Sequence, residues 1–271
     1  MSLRITLSLV FATLALVAPL LGQQNPTVSS QPLTVQRDPQ AITLLTQALN
    51  AAGGTAAVGS IQDFTGTGNV TFYWAGQDVP GSIIFKGRGT TQFRLDASTA
   101  SGNLTVIANN GAGSVARPDG TTAVLSLPVT LNLGSATLQV LNIAAALGDS
   151  SMSILNEGSS TYNGTQVTVV RVERALPSTG SSNPIPDTAS ARDLFIDSNT
   201  HLILAVRDRA YPKDGIGPTT PHDLVFSDYQ NVNGVLVPFA IKEEIDGQVT
   251  MTVQLSQVTF NTGLSDSNFQ Q

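Results

Sequence analysis

The sequence contains no cysteine. Disulfides and thiol-linked lipid anchors are therefore excluded, and any core must hold by packing alone. Charge is also scarce, at 12% of 271 residues, against about 25% in an average globular chain. The formal net charge is −6, and Lys and Arg nowhere gather in a run. Nucleic-acid binding and attraction to anionic headgroups both need such a basic footprint, so both are disfavoured. No phosphate-cradling loop and no dinucleotide fingerprint occurs. Aromatics stand at 6%, and Ser, Thr, Asn, Gln and Gly take up the remainder. That mix suits a β-rich, loop-rich extracytoplasmic protein.

The opening stretch MSLRITLSLVFATLALVAPLLGQQ is built as an export signal. Arg4 supplies the positive start, Ile5 to Ala18 the apolar run, and Pro19 breaks it ahead of Gly22. An uncleaved membrane anchor is the alternative, but the run is short for the roughly 20 residues a spanning helix needs. The expected organisation is a signal peptide at 1–22, a flexible lead-in at 23–37 carrying Pro26 and Pro32, and one β domain at 38–271. After removal of the signal the protein is expected to be soluble, not membrane-spanning, and periplasmic or secreted.

The first element is a helix. Asp38 suits an N-cap, Pro39 a first helical position and Gly53-Gly54 a stop. Between them Ala41, Leu44, Leu45, Ala48, Leu49 and Ala52 form one apolar stripe. From Phe64 the pattern turns to period two, with Val70, Phe72 and Trp74 on one face. Asp119-Gly120, Asn163-Gly164, Asn233-Gly234 and Asp246-Gly247 read as two-residue hairpin turns. Such turns predict a meandering antiparallel sheet. Ser135–Leu147 reads as a second helix, and the preceding LPVTLNLG is left open between strand and helix. In the last strand Val249, Met251, Val253 and Leu255 keep odd register, whereas Val258 and Phe260 keep even register. A β-bulge is therefore predicted near Ser256-Gln257. Pro238, unable to donate to a ladder, predicts an edge strand or a bulge, and a sheet that stays open there.

Reactive constellations are sparse. His201 and His222 read as solvated loop residues, because Asp214 and Asp223 are the only ligand-type neighbours and make a weak metal site. Gly113-Ser114 lacks the second glycine of a nucleophile elbow and reads as a loop serine in a tight turn. Glu243-Glu244 alternate faces, which reads as a solvated strand end rather than a glycosidase pair. Arg94, Arg171 and Arg207 fall within strands. Such arginines ordinarily face water, with pairing to a carboxylate or capping of an apolar cavity as the alternatives. No catalytic residue, metal or cofactor is expected, and the chain is not expected to be an enzyme.

Several stretches resemble a known family. They are YNGTQVTVVRV, LFIDSNTHLILAVRD, and the closing segment with Tyr229, Gly234, Pro238, Phe239, Asp266 and Phe269. Together they resemble the LolA/LolB-type outer-membrane lipoprotein carrier superfamily, including its secreted members, over roughly residues 38–269. The resemblance implies a mainly β fold, an open and strongly curved antiparallel sheet (an unclosed barrel) covered by one or two amphipathic helices. It also implies a cavity for acyl chains. Phe72, Trp74, Phe85 and Phe93 are the expected lining, with Leu45 and Leu49 contributed by the lid helix. The anchored acceptor type is excluded by the missing lipid-bearing cysteine. The expected function is an exported binding protein for a lipid, lipid-modified or other hydrophobic ligand, with a possible envelope protein as partner. The alternative is a structural or interaction module of the envelope whose hollow is filled by its own side chains.

Overall fold

The computed structural model describes residues 35–74, 76–136, 138–174, 187–211 and 218–271, with the side chains of Trp74, Ser135, Asp187 and Thr188 excepted. The expected signal peptide at 1–22, the lead-in up to residue 34, residues 176–186, Asp214 and the Trp74 side chain lie outside the described residues.

Asp38 starts α1 (Pro39–Ala51) by accepting from the N–H groups of Gln40 and Ala41, at 2.7 and 3.1 Å. Two orphan donors of the first turn are thereby satisfied. Gly53 at φ 133° ends the helix, and a Cβ there would lie 2.4 Å from the carbonyl oxygen of Gly234. A short helix, α2 (Gly54–Gly59), follows at once, so the Gly53-Gly54 stop separates two helices.

Six strands then run as successive hairpins: β1 (Asp63–Trp74), β2 (Gln77–Arg88), β3 (Gln92–Thr99), β4 (Gly102–Asn109), β5 (Ala112–Ala116) and β6 (Thr122–Leu125). The chain next forms α3 (Leu127–Leu133), a 3-10 turn at Gly134–Ala136, and α4 (Gln139–Gly148). LPVTLNLG is therefore helical. A second meander follows: β7 (Met152–Tyr162), β8 (Thr165–Arg174), β9 (Arg192–Asp197), β10 (Ile203–Ala210), β11 (Thr220–Val232), β12 (Val235–Ile245) and β13 (Gln248–Phe260). The two meanders join where β1 pairs with β13, giving one antiparallel sheet in the order 6-5-4-3-2-1-13-12-11-10-9-8-7. It does not close into a barrel: β6 and β7 are its edges, and the α3–α4 segment connects them. Four α-helices lie among the described residues, more than the one or two expected.

The sheet has to wrap. Phe93 on β3 and Val172 on β8 line the same cavity, yet eight strand steps separate β3 from β8. Laid flat at about 4.8 Å per step, they would stand roughly 38 Å apart. One apolar core therefore gathers inward side chains from both meanders, including Phe72, Phe85, Phe93, Val172, Leu194 and Val253, together with Leu45 and Leu49 of α1. The main contacts of α1 are with α2, α4, β7 and β8, so it covers the β7 end of the sheet. The β7 edge is also occupied by residues just before α1. Ile154 donates to the carbonyl of Gln36 and accepts from the N–H of Asp38, so the lead-in joins the fold before residue 38. The Arg37 guanidinium reaches the carbonyl oxygens of Ala146, Leu147, Asp149 and Met152 at 2.8–3.2 Å, tying that segment to the end of α4.

Three of the four expected turns have positive φ at both central residues: Asn163-Gly164, Asn233-Gly234 and Asp246-Gly247. The fourth differs. Asp119-Gly120 sits in a longer loop, in which the Asp119 carboxylate accepts from the backbone and hydroxyl of Thr121. A further turn of the same kind, Asn110-Gly111, joins β4 to β5. Ser114 accordingly lies inside β5 rather than in a turn.

The bulge is where the period changes. Thr67 pairs with Gln257 and Gly68 with Leu255, leaving Ser256 as the extra residue, whose hydroxyl donates to the Thr67 carbonyl. Pro238 does not lie on an edge strand, and the hairpin that bears it is not near the sheet's edge. β12 is interior, but its ladder with β13 begins only at Ala240. The missing donor of Pro238 falls where β12 has left β13, and there Leu236 donates instead to the carbonyl of Ala52 at the end of α1.

Strand arginines pair rather than simply face water. Arg171 is bidentate to Asp193 and Arg207 to Asp223, each across a ladder on the outer face, while Arg94 is bidentate to Asp96 on its own strand. Arg207 also lies 5.2 Å from the Phe195 ring centroid, covering a small outer cluster that includes Tyr162 and Val167.

At Gly68 a Cβ would stand 2.2 Å from the carbonyl oxygen of Gln254 and 2.7 Å from the Leu255 Cα. Gly68→Ala is expected to lower unfolding stability by about 1–3 kcal/mol, because backbone on both sides of the bulge must shift. Urea unfolding measures it, and an unchanged midpoint would contradict the close approach.

Candidate functional site

The hollow lies where the wrapped sheet leaves its gap. Period-two alternation turns Phe93 and Ala108 inward from β3 and β4, and Val172 and Leu194 inward from β8 and β9. Leu131 of α3 and Gln139 of α4 close the space between them, leaving a cavity of about 170 Å³. Two smaller voids, about 30 and 10 Å³, continue beneath the turn before α4 and beneath α4 itself. Gln139 borders all three. A groove of about 430 Å³ lies on the opposite face, lined by polar side chains such as Thr71, Ser227, Thr252 and Gln254.

The expected lining residues divide accordingly. Phe93 borders the main cavity, and Phe85 borders the 30 Å³ void. Their rings pack at 5.9 Å between centroids. Phe72, Leu45 and Leu49 are buried in the same core but line none of these spaces.

A row of charge crosses one end of the same inner face. Arg192, Asp208, His222 and Glu243 alternate in period two with the inward Leu194, Val206, Leu224 and Ile241, on four neighbouring strands. His222 is thus a strand residue, with its side chain only 13% exposed, and not a solvated loop histidine. Its Nδ1 lies 2.5 Å from Asp208 and its Nε2 3.1 Å from Glu243, which also accepts from the Thr250 hydroxyl at 2.6 Å. Burial alone would depress the His222 pKa, but the two carboxylates outweigh it and raise the value to about 10. Burial pushes Glu243 up, and His222 and Thr250 more than offset that, so its carboxyl falls below the ordinary range. With both ring N–H groups donating, His222 is an imidazolium and offers no lone pair to a proton or a metal. Glu244 turns to the other face and pairs with Lys242 at 2.6 Å, so neither glutamate is a merely solvated strand end. His201 does sit in a turn, after Asp197.

Sequence reasoning missed this row because its members are 14 to 51 positions apart. Only the pairing of Asp208 with His222 across β10 and β11, and the diagonal to Glu243, bring them together.

No protein-family model matches the chain, and no curated protein matches it. Solved structures do. A LolA-superfamily protein of Nitrosomonas europaea superposes with a TM-score of 0.52 at 13% identity, over 85% of this chain and 97% of that one. A DUF1329 family protein of Desulfovibrio piger gives 0.50 at 14%, over 87% and 98%. Identity this low speaks to fold alone, and the fold is LolA-like.

The charged row makes stability depend on pH. The folded pKa of His222 lies above its ordinary 6.5, so its contribution is fully present below about pH 6.5 and fades as pH rises toward 10. His222→Gln is expected to flatten that slope and to cost about 3–5 kcal/mol at the acid end of this window, since it leaves buried carboxylates without their cation. Thermal unfolding of both proteins across this window checks it. A wild-type melting temperature that climbs with pH would contradict the assignment.

Proposed function

We propose that the chain is an exported, non-catalytic binding protein for an apolar ligand, held between the inner face of the sheet and the α3–α4 cover. The observation that carries this reading is the siting of the voids. All three interior spaces lie against the segment that connects the two sheet edges, and all three meet at Gln139. A displacement of α4 would merge them without breaking a strand pair, which is how a covered site admits and releases cargo. Each ligand methylene buried there is worth roughly 0.8 kcal/mol, so a single acyl chain needs no polar contact to bind firmly.

The LolA-like fold supports a lipid or lipid-modified group as the ligand. The opening signal supports a periplasmic or secreted location. Among the described residues no helix is long and apolar enough to cross a membrane. An envelope protein that delivers or receives the ligand completes the reading.

One observation favours the alternative. At about 170 Å³ the main cavity is below the ~300 Å³ of a typical ligand pocket. On that reading the chain is an envelope interaction module with its hollow filled by its own side chains. Titration with N-phenyl-1-naphthylamine, a neutral fluorescent probe, separates the two. Saturable binding is expected, weakened about tenfold by Ala108→Leu, which fills the cavity, while cooperative unfolding is retained. Absence of saturable binding, with protein from its own host recovered empty by native mass spectrometry, would favour the module.

A further inference from the structure

We infer that the main cavity is shaped for an amphiphile with an acidic head, its alkyl chain on the apolar floor and its oxyanion between Arg192 and Arg174. This rests on the apolar-ligand reading above and narrows it to one chemical class.

The first observation is where charge enters the cavity. Of its lining residues only Arg174 and Arg192 are charged, and no carboxylate is among them. In a chain of net charge −6 with only 13 Lys and Arg, two arginines in one small hollow set its character. The second observation is how the two walls differ. The β3–β4 wall presents Phe93 and Ala108, whereas the β8–β9 wall presents both arginines beside Val172 and Leu194. The cavity therefore carries both its cations on one wall and none on the other, beside apolar side chains on each.

Depth completes the match. Arg174 ends β8 at the rim, with its side chain 52% exposed and paired to Asp149. Its backbone N–H and carbonyl are both held by the Ser190 hydroxyl, which fixes where the side chain starts. Arg192 reaches further in, donating to the Leu131 carbonyl and attracted by Asp208, which is itself engaged with His222. Burial depresses the Arg192 pKa, so an anion arriving beside it would relieve part of that strain on the cation. Guanidinium groups bind carboxylate and phosphate in a planar, two-bond fashion that an ammonium cannot. A head held there leaves the tail pointing toward Phe93 and the voids around Gln139. The acid would compete with Asp149 for Arg174 at the mouth and meet Arg192 inside.

The test is displacement of N-phenyl-1-naphthylamine from the full exported chain by decanoate, decyl phosphate and decanol, below their micellar concentrations and near neutral pH. The acids are expected to displace the probe at about tenfold lower concentration than the alcohol. Arg192→Gln is expected to abolish that preference while leaving decanol unchanged, and Arg174→Gln to reduce it. A preference for decanoate alone assigns the head to a carboxylate, and one for decyl phosphate alone to a phosphorylated lipid; either supports the inference. Equal displacement by acid and alcohol in the wild type overturns it, needs no variant, and leaves the apolar-ligand reading standing. An acid preference undiminished in Arg174→Gln overturns it too, should Arg192→Gln fail to fold. If none of the three displaces the probe, or the probe itself does not bind, both the inference and the reading beneath it fall.

Discussion

Most strands of this sheet turn apolar side chains inward, and those leave water only if the sheet wraps around them. Everything else follows from that geometric demand. Thirteen strands in a row cannot share a core while flat, and without cysteine no disulfide draws the two ends together. The bend at Ser256 and the parting of β12 from β13 at Pro238 are local departures from the ladder that a curved sheet requires. Where the wrap stops short, between β6 and β7, the chain supplies helices instead of strands. The covering segment is thus also the connection between the two edges, tied at both ends.

The inner surface is divided. Most of it is aliphatic and aromatic, but one end carries a row of alternating charge, Arg192, Asp208, His222 and Glu243. Burying charge is tolerable there because His222 meets Asp208 and Glu243 on neighbouring strands, Asp208 attracts Arg192, and the row is close to neutral while His222 is protonated. The outer face uses the same device in a wetter setting, with Arg171–Asp193 and Arg207–Asp223 spanning adjacent strands. These bidentate pairs fix register at the sheet's far end from β6.

The proposed binding reading rests on a hollow roofed by a tethered segment, with Phe93 and Ala108 on one wall and two arginines on the other. The small volume fits a cover resting on its own core, and on the proposed reading Gln139 stands where three spaces would merge if that cover lifted. On the proposed reading such a site works through surface area and shape.

Much of this was legible in the chain. Asp38 and Pro39 mark the start of α1, the Asn-Gly pairs mark hairpins, and the shift from odd to even register locates the Ser256 bulge, because each depends on neighbours a few residues away. Pro238 was only half legible: proline's missing donor announces an absent ladder bond, but the reason it is absent is that β12 has parted from β13 there, which only the strand pairing shows. His222 and Glu243 were misread for the same cause. Alone, each is a polar residue near a turn. The sequence by itself determined the antiparallel meander, the helix caps and which face of each strand is apolar, since these are set by periods of two and 3.6 along the backbone. Only the tertiary structure decided that β1 meets β13, that a charged row lines one end of the hollow, and that two arginines share its wall. Those depend on strand order and curvature, which arise from contacts between residues far apart in the chain.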